Sequence, residues 1–186
     1  MRRFTCCLAL ALLTSACSSM LPKGHNESSS FHSFDDARQA VKGLAPMKTK
    51  LSHLEKNGFN PAAQPNTKLL THSDVVKLLV PTGLLKREDL DPGIMVCVEA
   101  RDACHGMEIA SSKISRERTG NFFADFTNFK RQTTVTGWRF NALILFVDDL
   151  VVYRSWGGQP AVNEVEVTSN PLGPLQDVGP SLLTTR

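Results

Sequence analysis

Apolar residues recur with different rhythms along this chain, and each rhythm predicts a different element. Residues 8–13 are an almost unbroken apolar run behind Met1-Arg2-Arg3. Residues 18–32 show no apolar period; their serines, Pro22 and Gly24 predict a flexible tether reaching about 20 Å. Behind Ser33-Phe34-Asp35-Asp36, Ala37, Ala40, Val41 and Leu44 follow at helical spacing. Ser33 is placed to cap the free amides, and the aspartates favour the positive end of the helix dipole. Pro46 ends that helix, and Thr49 opens a second whose Leu51 and Leu54 share a face. Asn57-Gly58 stops it, because glycine takes the left-handed conformation of a C-terminal cap.

Residues 59–106 are broken by Pro61, Pro65, Pro81 and Pro92, and one helix is predicted there, from Ser73 as cap through Asp74 to Val80. From Met107 the period changes to two, and Met107, Ile109 and Ile114 predict a half-buried strand. Phe122, Phe123, Phe126 and Phe129 suit a helical turn or an aromatic loop, and a role as core filler is expected of them. The clearest pattern is a pair of β-rich runs, 138–147 and 150–156, separated by Asp148-Asp149, which predicts a hairpin. In that register Phe146 faces Val151 and Ile144 faces Tyr153, and Trp138, Phe140 and Ala142 extend one apolar face. The N-terminal helices are expected to cover it. The opposite face carries Leu143, Leu145, Val147, Leu150 and Val152 with Arg139, Arg154 and Trp156, too apolar to lie in water. Either the C-terminal segment covers it with Val165, Val167, Leu172 and Leu175, or a partner does.

Composition and cysteine count add the compartment. The apolar run at residues 8–13 is too short to span a bilayer, and with its basic start and small residues Thr14-Ser15-Ala16 before Cys17 it has the form of a signal peptide. Here the chain resembles a bacterial lipoprotein precursor, which implies cleavage before Cys17 and lipidation of its sulfur. Of the five cysteines, Cys6 and Cys7 leave with the leader. Cys97 and Cys104 remain as a pair in a chain bound for an oxidising compartment, where a disulfide is expected. A redox pair, or a metal site using Cys97, Cys104 and His105, is the alternative. The whole chain carries net charge +3, and loss of Arg2 and Arg3 brings the mature chain close to neutral. No basic cluster interleaves with aromatics, so nucleic acid is not an expected partner.

With these elements in place, the lipidated start, the helix pair through Leu44-Ala-Pro-Met-Lys-Thr-Lys-Leu51 with its Gly58-Phe-Asn-Pro61 exit, and the hairpin followed by Gly158-Gln-Pro160 are similar to the SmpA/OmlA (BamE-like) outer-membrane lipoproteins. The resemblance implies an α+β, two-layer fold with an N-terminal helix hairpin packed on a three-stranded antiparallel sheet. It implies no chemistry, and a scaffold or binding role in envelope or β-barrel protein assembly. Ser18 after the lipidated cysteine resembles the outer-membrane sorting pattern. The expected organisation is a signal peptide (1–16), a lipidated tether (17–32), an α+β domain (33–160) with a disulfide-stapled insertion at about 62–106, and a Pro/Gly-rich tail (161–186).

No enzyme signature accompanies these features. None of His25, His32, His53, His72 and His105 stands in a nucleophile or H-E-x-x-H pattern, and G-x-S-x-G, P-loop and Rossmann glycine patterns are missing from the sequence. Cys104-His105 is the one neighbouring nucleophile and base, and adjacent residues seldom aim at one another. The expectation is a non-catalytic, lipid-anchored periplasmic scaffold or binding protein of the outer membrane, without cofactor or metal. It would hold an outer-membrane or periplasmic protein through Leu145, Val152, Arg154 and Trp156. The alternative is an envelope hydrolase, or an inhibitor of a periplasmic enzyme, acting through residues 62–106.

Overall fold

The computed structural model describes residues 21–52, 65–80 and 89–173. Along the chain come β1 (Lys23–Glu27), α1 (Phe34–Lys42), β2 (Thr67–Leu70), α2 (His72–Leu79), α3 (Pro92–Ala100), a 3-10 turn (Arg101–Ala103), β3 (Cys104–Thr119), α4 (Phe122–Phe126), β4 (Lys130–Val147) and β5 (Leu150–Ser169). The strands form one five-stranded sheet in the order β1-β3-β4-β5, with β2 also paired to β3. The expected helix hairpin on three strands is therefore corrected: the described residues form five strands in one sheet with four short helices. The chain divides into two compact units, one made of Met1–His25, Ile114–Thr136 and Val162–Arg186, the other of Asn26–Lys113 and Gly137–Ala161.

In the larger unit, α1 starts where the sequence places it. Ser33 Oγ accepts from the Asp36 amide at 3.1 Å, and Asp35 and Asp36 occupy the first turn. Phe34, Ala37 and Val41, spaced by three and four, bury one stripe of the helix against Trp138, Phe140, Ala142, Ile144 and Val151. Each large side chain so buried contributes about 1.5–3 kcal/mol. Phe34 and Phe140 meet edge to face, with centroids 5.4 Å apart. This is the helix-covered face that the alternation predicts.

A short strand pairing precedes the second predicted helix, of which Leu51 and Ser52 are helical. Met47 turns the chain at a positive φ of 61°, after which Lys50 forms an antiparallel bridge with Leu150. The Val151 amide donates to Thr49 O at 2.9 Å, and the Leu51 amide donates to Asp149 O at 2.7 Å. The start of β5 otherwise offers unpaired backbone groups, which this segment satisfies. Leu54, Asn57 and Gly58, on which the rest of that helix was expected, lie outside the described residues.

The other sheet face is covered by the region expected to be an insertion. Leu70, Val75, Ile94, Cys97 and Cys104 bury Leu145 and Val152 in a second core. Strand β2 pairs antiparallel with β3, Thr67 with Ile109 through Leu70 with Gly106, and Thr71 then caps α2. Helix α3 begins with Pro92 behind the N-cap Asp91, whose carboxylate accepts from the Gly93 amide at 2.7 Å. A side chain at Gly93 is excluded: its Cβ would stand 2.0 Å from Val152 O. Residues 65–80 and 89–106 thus supply five of the seven buried residues of this second core. None of the described C-terminal residues belongs to this second core. Val165 and Val167 are more than half exposed, Leu172 is exposed, and Leu175 lies outside the described residues.

The smaller unit has a slight core of Ile114, Val135 and Val162. Strand β1 crosses residues expected to be tether, and its Lys23 pairs with Glu117 at 3.4 Å. Strand β5 runs on to Ser169, so the first part of the expected tail is also strand. Asn121 Oδ1 accepts from the Phe123 amide at 2.9 Å and starts α4.

Candidate functional site

Residues expected to form a binding face are distributed by one irregularity in β5. Val151 joins the α1 core, and Val152 the second core, as alternation requires. Tyr153 then packs against the second core as well, and Arg154 turns to α1, donating from Nη1 to Val41 O at 2.9 Å. Two successive residues on one side are the signature of a β-bulge, which shifts the strand by one residue without a mark in the local sequence. The expectation that Ile144 and Tyr153 share a face is corrected by it.

The four expected contact residues therefore divide. Leu145 and Val152 are 0% and 1% exposed and act as core. Arg154 gives a second donor to a carbonyl near the end of α1, since Val41 O also accepts from the Leu44 amide at 3.1 Å. Trp156 remains accessible at 38%. Its ring meets Phe34 at 6.3 Å, with the Arg38 guanidinium 5.9 Å and the Lys42 ammonium 5.5 Å from its centroid. Both cations come from α1, one turn apart, so a helix edge and a strand together build an aromatic surface rimmed by positive charge.

Beside Trp156 opens a cleft of about 150 Å³, lined by Leu78, Glu108, Asn141, Leu143 and Ser155 among others. A neighbouring hollow of about 230 Å³ shares Leu78 and Glu108 and adds Lys68, Asp74 and Lys77. Asp74 is committed to the α2 cap. Its Oδ2 accepts from the Thr71 hydroxyl at 2.7 Å and from the Thr71 amide at 3.1 Å. Those two hydrogen bonds, the hydroxyl's first, hold its carboxyl below the ordinary 3.8.

The residues carrying the disulfide expectation do meet. Cys97 and Cys104 are bonded, with Cα atoms 4.9 Å apart, and tie α3 to the start of β3. Both are fully buried, which suits a structural bridge better than an exchanging one. The bonded Cys104 sulfur presents no thiol to His105, whose ring lies tilted against Phe146 at 5.8 Å. His72 Nε2 lies 3.1 Å from Val98 O. Asp149, in the hairpin turn, accepts from the Ser52 amide and hydroxyl, both at 3.0 Å. No group of three or more His, Cys, Asp or Glu able to hold a metal occurs among the described residues. Cys17, the expected lipidation site, lies outside them.

The aromatic cluster reverses its expected role. Phe123, Phe126 and Phe129 are 70%, 77% and 47% exposed, so they are surface and not core. No helix among the described residues is long and apolar enough to cross a membrane. Compared with protein-family models, curated proteins and solved structures, the chain has no match in any of the three.

Proposed function

We propose that this protein is an exported, lipid-anchored, non-catalytic binding or scaffold protein on the periplasmic face of the outer membrane. The observation that carries the proposal is the N-terminal pattern, Met1-Arg2-Arg3, the apolar run at 8–13 and Thr14-Ser15-Ala16-Cys17, with small residues directly before a cysteine. The Cys97–Cys104 bridge supports it independently, since such bridges persist in oxidising compartments. Assignment to SmpA/OmlA-type lipoproteins is not part of the proposal, because the sheet has five strands where that resemblance implies three.

Trp156 is the part of the expected contact face left open to a partner, and Arg38 and Lys42 stand beside it. A cation-rimmed indole suits a protein segment bearing carboxylates or an aromatic side chain. Residues 65–80 and 89–106 complete the core, which leaves the hydrolase or inhibitor alternative without a free-standing functional insertion.

Labelling cells with radioactive palmitate tests the anchor. Label is expected on the intact chain and not on Cys17→Ala, with the protein in the membrane fraction. An unlabelled, freely soluble chain sinks the proposal.

A further inference from the structure

Exposed phenyl rings gather on the smaller unit, and the fold holds them there. In α4 the polar residue is the buried one: Asp125 is 5% exposed and its Oδ1 accepts from Arg118 Nη1 at 3.0 Å. The rings of Phe123 and Phe126 take the solvent side, an inversion of the pattern of a helix packed on a core. Phe122 stacks on Phe126 at 5.8 Å with 13° between ring planes. The Asn170 amide donates to Phe129 O at 2.8 Å and fixes the end of the turn.

The N-terminal side of the chain arrives at the same place. The Arg118 amide donates to Pro22 O at 3.3 Å, Lys23 pairs with Glu117, and Leu21 is buried. Arg118 is also the residue that grips Asp125 of α4. Leu21 stands four positions after Cys17, and four fully extended residues span at most about 14 Å. A lipid on Cys17 therefore keeps this end of the unit close to the bilayer.

Charge favours the same contact. Residues 116–131 carry Arg116, Arg118, Lys130 and Arg131 against Glu117 and Asp125, and both carboxylates are engaged by cations. Arg116 and Lys130 are exposed.

We infer that Phe123, Phe126 and Phe129 form a second membrane contact, seating their rings among the acyl chains at the bilayer surface while the adjacent basic residues meet anionic headgroups. Phenyl rings have no polar tip to keep in water, so they can sit wholly among acyl chains, and rings flanked by cations suit an anionic lipid interface. The inference rests on the lipid-anchor proposal for which membrane is met, and the contact itself needs no acyl chain. With both in place, each raises the effective concentration of the other at the surface.

Vesicle binding tests it with an unacylated chain, residues 17–186 carrying Cys17→Ser, which retains every described residue. It is expected to sediment with phosphatidylcholine–phosphatidylserine vesicles and less with phosphatidylcholine alone. Phe123→Asp with Phe126→Asp is expected to lower that binding at least about tenfold at an unchanged near-ultraviolet circular dichroism spectrum. Phe126→Trp supplies a readout that does not disturb the helix: its emission is expected to shift to the blue on adding vesicles and to be quenched by brominated acyl chains. No sedimentation with the anionic vesicles, or sedimentation indifferent to the double substitution, overturns the inference. Concentration-dependent self-association that depends on the same rings, without vesicle binding, overturns it in favour of a protein contact. Palmitate label on Cys17 with no vesicle binding sinks this inference alone, and vesicle binding by a chain that cells leave unlabelled sinks the anchor alone.

Discussion

Arg154 Nη1 donates to the carbonyl oxygen of Val41 at 2.9 Å, joining β5 to the end of α1. The contact exists because the bulge at Val152 and Tyr153 turns Arg154 toward the helix. A charged donor to a backbone carbonyl contributes about 1.5–3 kcal/mol, and Val41 O accepts from the Leu44 amide at 3.1 Å as well. Arg154→Ala is expected to lower the urea midpoint with an unchanged slope, and Arg154→Lys to recover part of the loss. An unchanged midpoint in Arg154→Ala would show that the bond contributes nothing to stability.

Close approach at Gly93 gives a second expectation. Its backbone lies against Val152 O, and an added Cβ would meet backbone that cannot swing aside. Gly93→Ala is expected to destabilise by about 1–3 kcal/mol or more, as overpacking does. Gly157, with open space around it, is the control, and Gly157→Ala should lose far less. Thermal unfolding of the two variants side by side decides it.

The Cys97–Cys104 bridge closes a short loop between buried residues. Loss of such a closure is expected to cost about 2.5 kcal/mol by the chain-entropy model. The double variant Cys97→Ala, Cys104→Ala should unfold at lower denaturant, and reductant should shift the parent toward it without moving the variant. Reductant acting equally on both would separate the effect from this bridge.

Asp74 predicts a local pH dependence. Its carboxyl is held below 3.8 by the Thr71 hydroxyl and amide. A lowered carboxylate adds stability that is complete above the unfolded value and is lost as pH falls through the folded one. The α2 cap should therefore be intact above 3.8 and weaken in more acid solution. Carboxyl titration by nuclear magnetic resonance should find the midpoint below 3.8, and Thr71→Ala should raise it toward that value. A midpoint that ignores Thr71→Ala would disprove the assigned cause.

Several elements were written locally, and the chain's own pattern determined them. Ser33 and the two aspartates start α1, the alternation from Trp138 to Ile144 marks the face that α1 buries, and Asp148-Asp149 separates the hairpin strands. Cys97 and Cys104 are close enough in sequence for their pairing to be legible. These signals depend on residues within a turn or two of one another.

Tertiary structure alone decided what covers each face. Alternation says that Leu145 and Val152 share a side of the sheet, but not that α2 and α3, joined through proline-broken sequence, would bury them. The bulge that separates Tyr153 from Ile144 inserts one residue into a regular strand, and strand propensity is the same on either side of it. Phe123 and Phe126 have the composition of core and lie at the surface, because Arg118 draws Asp125 inward and so turns the helix. Burial is set by which distant segment arrives, and the side chain itself records only that it has something apolar to offer.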